Sequence, residues 1–206
     1  MCISSEDGAG APAAAELVAN GLGFRLIDED IVTRAALEAG VETELVADVE
    51  RRKSTLVRLI EGLGSTGMGT GYVMASAEAP GFGQPVSDEL RGLIKSVIEE
   101  TAGAGDVVIV SHAASLALAG RDDVLRVLVT ASRETREQRL ASTLGVDEKE
   151  AARSIKRSDA GRADYIKRFY GIGAELPTHY DIVVNTDKLT PEDAARLIVD
   201  AAGGPA

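Results

Sequence analysis

Apolar positions along the chain switch between strand-like and helical spacing several times, and the alternation predicts a βαβ-type layout. Cys2 and Ile3 open a short apolar run, then a Gly turn leads into a helix on which Leu17, Val18 and Leu22 recur at helical spacing until Gly21 and Gly23 stop it. Pro12 suits the first turn of that helix, where its missing N–H costs little. Phe24, Arg25, Leu26 and Ile27 read as a second strand, running into Asp28, Glu29 and Asp30 and then a helix over 31–37. Residues 41–63 read as a helical arm and 64–86 as a flexible glycine-rich connection. No apolar strand precedes Gly62, so those glycines do not make a phosphate loop.

Helical spacing returns over 88–101, and residues 106–111 are the most β-like run, whose continuous apolar stretch at 107–110 suits a central parallel strand covered on both faces. A strand over 124–129, a Ser132-capped helix over 133–143, helical sequence over 147–157 and a strand over 181–185 follow. Thr190, Pro191 and Asp193 then open a last helix through Val199, combining a cap, a first-turn proline and a first-turn acid. Strands alternating with helices imply one three-layer α/β/α domain around a parallel sheet, carrying the arm and loop at about 41–86 and a lid-like segment at about 147–176.

Composition narrows the function. With 45% hydrophobic and 27% charged residues the chain has the makeup of a folded domain, not a disordered one. A formal charge of −11 makes the average surface repel nucleic acid and anionic lipid, and the near absence of aromatics argues against base-stacking platforms. A single cysteine excludes an internal disulfide and fits a reducing compartment. The opening residues lack an export-signal pattern, and no stretch approaches a membrane span, so a cytoplasmic location is expected.

Three segments could carry chemistry. Ser5, Gly8, Ala9, Gly10 and Ala11 lie between the first strand and first helix, where backbone N–H groups and the helix dipole can receive a phosphate. Against G-x-x-x-x-G-K-[ST] only Gly10 matches: Ser5 stands for the first Gly, Ala11 for Lys and Pro12 for Ser/Thr. Glu6 and Asp7 add negative charge there, and a plain tight turn would use the same residues. At the second strand's end, the carboxylates of Asp28, Glu29 and Asp30 could hold Mg²⁺ water or a nucleobase amino group while Arg34 contacts phosphate, or they could simply cap and pair along a solvated helix. Third, residues 156–168 hold five basic residues in thirteen, including Arg157, Arg162 and Arg168. They suit a clamp on a small anion, or else a helix face paired with its own acids. His112 follows the central strand without a spaced metal partner, His179 reads as a loop residue, and Ser111 lacks a nucleophile-elbow context. No side-chain metal site is expected.

In order and spacing these pieces resemble the cytidylate kinase-like branch of the P-loop nucleoside monophosphate kinases. Residues 3–10 look like its opening strand and glycine loop, in which the lysine is also commonly absent. Leu26, Ile27 and Asp28 followed by Arg34 are similar to its acceptor-binding strand end, Asp159-x-x-Arg162 resembles its lid motif, and residues 179–189 its closing strand and turn. The resemblance implies an ATP- and Mg²⁺-dependent phosphotransferase acting on a nucleoside monophosphate such as CMP. Donor phosphates would lie at Ser5, Gly8, Ala9, Gly10 and Ala11, and the acceptor near Asp28, Arg34, His112 and Asp159. Arg157, Arg162 and Arg168 would close over the transferring group. Where the family tends to carry a Gly-Arg pair after the central strand, this chain has Ser111, His112 and Ala113. With Ala11 and Pro12, that departure equally suits a nucleotide-binding or regulatory protein that keeps the fold without turnover.

Overall fold

The computed structural model describes residues 1–28, 88–111 and 113–203. The helix expected over 31–37, the arm and loop at 41–86, Arg34 and His112 lie outside the described residues. Five parallel strands form one sheet in the order β2-β3-β1-β4-β5: β1 (Cys2–Ser5), β2 (Arg25–Ile27), β3 (Val107–Val110), β4 (Arg126–Thr130) and β5 (Ile182–Asn185). The described helices are α1 (Ala11–Leu22), α2 (Asp88–Gly103), α3 (Ala114–Ala117), α4 (Arg133–Leu144), α5 (Glu148–Tyr170) and α6 (Pro191–Ala201). Their arrangement is the expected three-layer α/β/α fold around a parallel sheet.

Strand periodicity of two builds both faces. Ile3, Val108, Val110, Val127, Val129 and Val184 point to one side and pack with Ala14, Val18, Ala194 and Ile198 of α1 and α6. Cys2, Ile27, Val107 and Ile109 point to the other and pack with Val97 and Ile98 of α2 and with Ala114. The apolar run at 107–110 is therefore buried on both faces, as its composition predicts, but the middle of the sheet is β1, which bonds β3 on one edge and β4 on the other. Leu140, Ala151 and Ile155 make a separate small core between α4 and α5.

Element ends follow local chemistry. Ser132 Oγ accepts from Thr135 N at 3.3 Å to cap α4, and Thr190 with Asp193 forms the expected capping box on α6. The sequence pattern ends a helix near Arg157, whereas α5 continues to Tyr170 through Gly161. Its buried positions Ala151, Ile155, Arg162 and Ile166 stay on one face throughout, so burial sustains a helix that residue propensity interrupts. Asp147 caps its start, and Gly171, with φ 67°, ends it.

Polar contacts enter the core where the sheet meets the site. Ser4, fully buried, donates from Oγ to Ser111 O at 3.1 Å and lies 2.9 Å from Ser115 Oγ, which is also 3.4 Å from Cys2 Sγ. This chain of contacts joins the carboxyl ends of β1 and β3 to α3. Burial pushes the Cys2 thiol up to about 11.

Truncating Ile198, which is fully buried against α1, to Ala should cost about 2–5 kcal/mol in urea unfolding, while Leu197→Ala on the exposed side should stay within about 1 kcal/mol. Cys2 should resist Ellman's reagent at pH 8 in the native protein and react fully in denaturant, because the buried thiol is almost wholly protonated there.

Candidate functional site

β1 ends at Ser5 and α1 begins at Ala11, so residues 6–10 turn the chain at the carboxyl edge of the sheet, where α/β folds bind ligands. Gly8 (φ 78°) and Gly10 (φ 82°) supply the left-handed backbone that the turn needs. At Gly8 size matters as well as conformation: a Cβ there would sit 2.7 Å from the backbone carbonyl oxygen of Arg136. The turn's carbonyls are held from the flank. Ser5 O accepts from Arg162 Nη1 at 3.1 Å, Asp7 O from Arg136 Nε at 2.7 Å, Gly8 O from Arg139 Nη1 at 3.5 Å and Ala9 O from Thr186 Oγ1 at 2.7 Å.

With these carbonyls engaged on one side, the amides of Asp7, Gly8, Gly10 and Ala11 have no acceptor among the described residues. Gly10 is the N-cap of α1 and contributes no side-chain cap. The Ala9 amide, between those of Gly8 and Gly10, donates to Glu6 O at 3.1 Å. Amides without an acceptor at the positive end of a helix dipole can receive an anion.

The arginines are themselves fixed by acids. Arg136, 3% exposed, also binds both carboxylate oxygens of Asp159 and lies 3.5 Å from Glu6 Oε1. Arg162, 5% exposed, makes a forked contact to Glu175, 2.9 Å from Nε and 2.6 Å from Nη2, and Tyr180 OH donates to the same carboxylate. Glu6 also accepts from Thr130 Oγ1, and Asp7 accepts from Ser158 Oγ at 2.5 Å. The two acids that count against phosphate in the sequence are thus each bound by neighbouring elements. Arg139 is aimed by Thr186, at 2.9 Å from its hydroxyl and 2.6 Å from its carbonyl. Asp187 accepts from Ser132 N at 2.7 Å at the start of α4, and that bond, with the Thr135 hydroxyl, holds its carboxyl below the ordinary range. A cleft of about 200 Å³ opens beside the loop, lined by Glu6, Asp159, Arg162, Ile166, Gly173 and Glu175.

The model of the Cytidylate kinase-like family matches residues 1–188, a span containing the loop, all of α5 and the turn at Thr186 and Asp187. The chain belongs to the cytidylate kinase-like family. It is similar to the cytidylate kinase of Pyrobaculum neutrophilum, 32% identical over 113 residues, which is 54% of this chain and 60% of that one. It is also similar to the cytidylate kinase of Aeropyrum pernix, 36% identical over 104 residues, 50% of this chain and 59% of the relative. The chain thus spans about 60% of the length of these curated relatives. Among solved structures, an uncharacterized protein from Eubacterium ventriosum aligns with TM-score 0.68 at 18% identity, covering 98% of this chain and 96% of that one. TT1252 from Thermus thermophilus aligns with TM-score 0.51 at 17% identity, covering 98% and 95%. At such identities these two matches bear on fold.

Within this family member the structure brings the loop of Ser5, Gly8, Ala9, Gly10 and Ala11 together with Asp159, through Arg136, and with Arg162, which donates directly to Ser5 O. Asp28, half-buried, follows β2 at the same sheet edge, two strands from β1 and hence about 10 Å across the sheet from it. Arg157 and Arg168 are exposed, and at 100° per residue they lie about 120–140° around α5 from Arg162. Arg168 pairs with Asp164 at 3.5 Å. His179 ends a short 3₁₀ turn, Pro177–His179, where its Nδ1 accepts from Leu176 N at 3.2 Å.

Sequence reasoning overlooked Arg136, Arg139, Glu175 and Thr186. Arg136 and Arg139 stand three apart just after the α4 cap, a spacing that marks a shared face, yet nothing in the sequence indicates that this face meets the loop. For Mg²⁺, Ala11 and Pro12 offer no hydroxyl, and no group of three or more metal-binding side chains occurs among the described residues.

Gly8→Ala is expected to destabilise the protein by more than Gly23→Ala, which should cost roughly 1–2 kcal/mol for backbone strain alone. Both have positive φ, but nothing lies within 4 Å of a Cβ at Gly23, whereas Gly8 faces the Arg136 carbonyl. Urea unfolding of the two variants checks the order.

Proposed function

We propose that this protein transfers the γ-phosphoryl group of MgATP to a nucleoside monophosphate, with CMP the first candidate. The observation that carries this reading is the loop at residues 5–11, where the carbonyls of Ser5, Asp7 and Ala9 are tied by side chains while the amides of Asp7, Gly8, Gly10 and Ala11 have no acceptor among the described residues. Membership of the cytidylate kinase-like family supports it, as does the name cytidylate kinase borne by its curated relatives.

Donor phosphates lie against Ser5, Gly8, Ala9, Gly10 and Ala11, and Mg²⁺ arrives bound to the nucleotide. The acceptor lies toward Asp28, at the end of β2, and Asp159 on α5, with Arg34 and His112, outside the described residues, assigned to it as well. In-line phosphoryl transfer needs alignment and charge neutralisation more than a protein base, so no general base is assigned. Arg162 neutralises charge on the transferring group; Arg157 and Arg168, exposed about 120–140° around α5 from it, would have to swing in to join it. For Arg162 that role requires exchanging at least part of its forked contact with Glu175 for phosphate oxygens, two acceptors of matching geometry. A cytoplasmic site of action goes with nucleotide substrates and a buried, reduced Cys2.

A second reading, nucleotide binding without turnover, is favoured by Ala11 and Pro12 and by the engagement of Arg162 with Glu175 and Ser5. A coupled assay with ATP, Mg²⁺ and a panel of monophosphates separates the two. Turnover, highest with CMP, is expected; binding without turnover leaves the regulatory reading, and no ATP-induced shift in the amide resonances of residues 5–13 removes both. Arg162→Ala should lower kcat at least about tenfold with ATP affinity retained if the side chain meets the phosphoryl group. Loss of affinity with unchanged kcat assigns it instead to holding the loop.

A further inference from the structure

We infer that Arg136 is a positioning residue for the loop: its guanidinium offsets the Glu6 carboxylate and holds the Asp7 carbonyl, so that a loop with two acids and no lysine can receive a polyphosphate. This role presupposes that residues 5–11 hold a polyphosphate, and it names the group that makes them able to. Arg136 meets three successive loop residues. Its Nη1 lies 3.5 Å from Glu6 Oε1, its Nε donates to Asp7 O at 2.7 Å, and its own carbonyl oxygen occupies the space beside Gly8 where a side chain would begin. The remaining donors grip Asp159, which fixes the plane of the guanidinium against α5.

Burial makes the arrangement consequential. The Arg136 side chain is 3% exposed, so water screens it weakly and its charge acts on what lies closest. Of the two loop acids, Asp7 is held by the neutral Ser158 hydroxyl, whereas Glu6 has both the Thr130 hydroxyl and the Arg136 charge. Without Arg136, the Glu6 carboxylate would stand uncompensated beside the amides that receive phosphate, and the Asp7 carbonyl would be free to turn. Lysine could not replace it, since one ammonium lacks the fork that reaches Asp7 O, Glu6 and Asp159 together.

Pyrophosphate and MgATP binding to the full chain, measured by calorimetry with urea unfolding in parallel, tests the role. Arg136→Met is expected to weaken pyrophosphate binding at least about tenfold, the order expected when a nearby like charge is left unpaired. Arg136→Met with Glu6→Gln should recover most of that loss, since the carboxylate that Arg136 offsets is gone; a merely structural role predicts no recovery. Glu6→Gln alone should bind more tightly than the unmodified chain. Wild-type affinity in Arg136→Met, or no recovery in the double variant, overturns the inference. If Arg136→Met does not fold, Glu6→Gln decides, and weaker binding in that variant overturns it. Failure of the unmodified chain to bind pyrophosphate or MgATP sinks the polyphosphate site itself, a result distinct from normal binding that ignores Arg136.

Discussion

The carbonyl oxygens of the loop after β1 must be occupied if its amides are to face a ligand, and in this chain arginines do most of that work. Arg162 takes Ser5 O, Arg136 takes Asp7 O, and Arg139 reaches toward Gly8 O, while Thr186 takes Ala9 O. Each peptide group has two polar ends, and engaging one leaves the other presented on the opposite side. The buried guanidinia of Arg136 and Arg162 are in turn admissible because Asp159 and Glu175 pair with them, so the acids of α5 and the following segment stand behind the shape of the loop. α4, α5 and the end of β5 converge on the backbone of residues 5–9.

That convergence gives a strongly acidic protein of this family a loop whose local charge differs from its average surface. Net charge sets the average field, but a small anion at a recessed site responds to nearby groups and to oriented amides. Glu6 and Asp7 are each engaged by a neighbour, and the loop amides that have no acceptor among the described residues carry the positive ends of their dipoles. The same contacts also favour stability of the site: Gly8 lies against the Arg136 backbone so closely that loop and α4 form one packed unit.

The layers of the fold were largely legible in the residue pattern, because burial imposes period two on strands and near 3.6 on helices. β3 was evident from an unbroken apolar run, and α6 from its capping box. Two features escaped: β1, only four residues long, is the central strand, and α5 runs on through Gly161 to Tyr170. In both cases the deciding term is contact with distant elements. β1 is central because β3 and β4 bond its two edges, and α5 persists because its buried face continues past the glycine.

For the site, residue order along the chain located the glycine turn at 5–11, its place before a helix, and a basic segment around Asp159 and Arg162. Those follow from local backbone rules and from local charge, which need no knowledge of what lies across the fold. Only the tertiary structure decided that Arg136 stands beneath the loop, that Glu175 holds Arg162, and that Thr186 reaches Ala9 from 177 residues away. Such pairings depend on which helix face turns inward and where two strands end, quantities set by the packing of the whole sheet and carried by no short stretch of sequence.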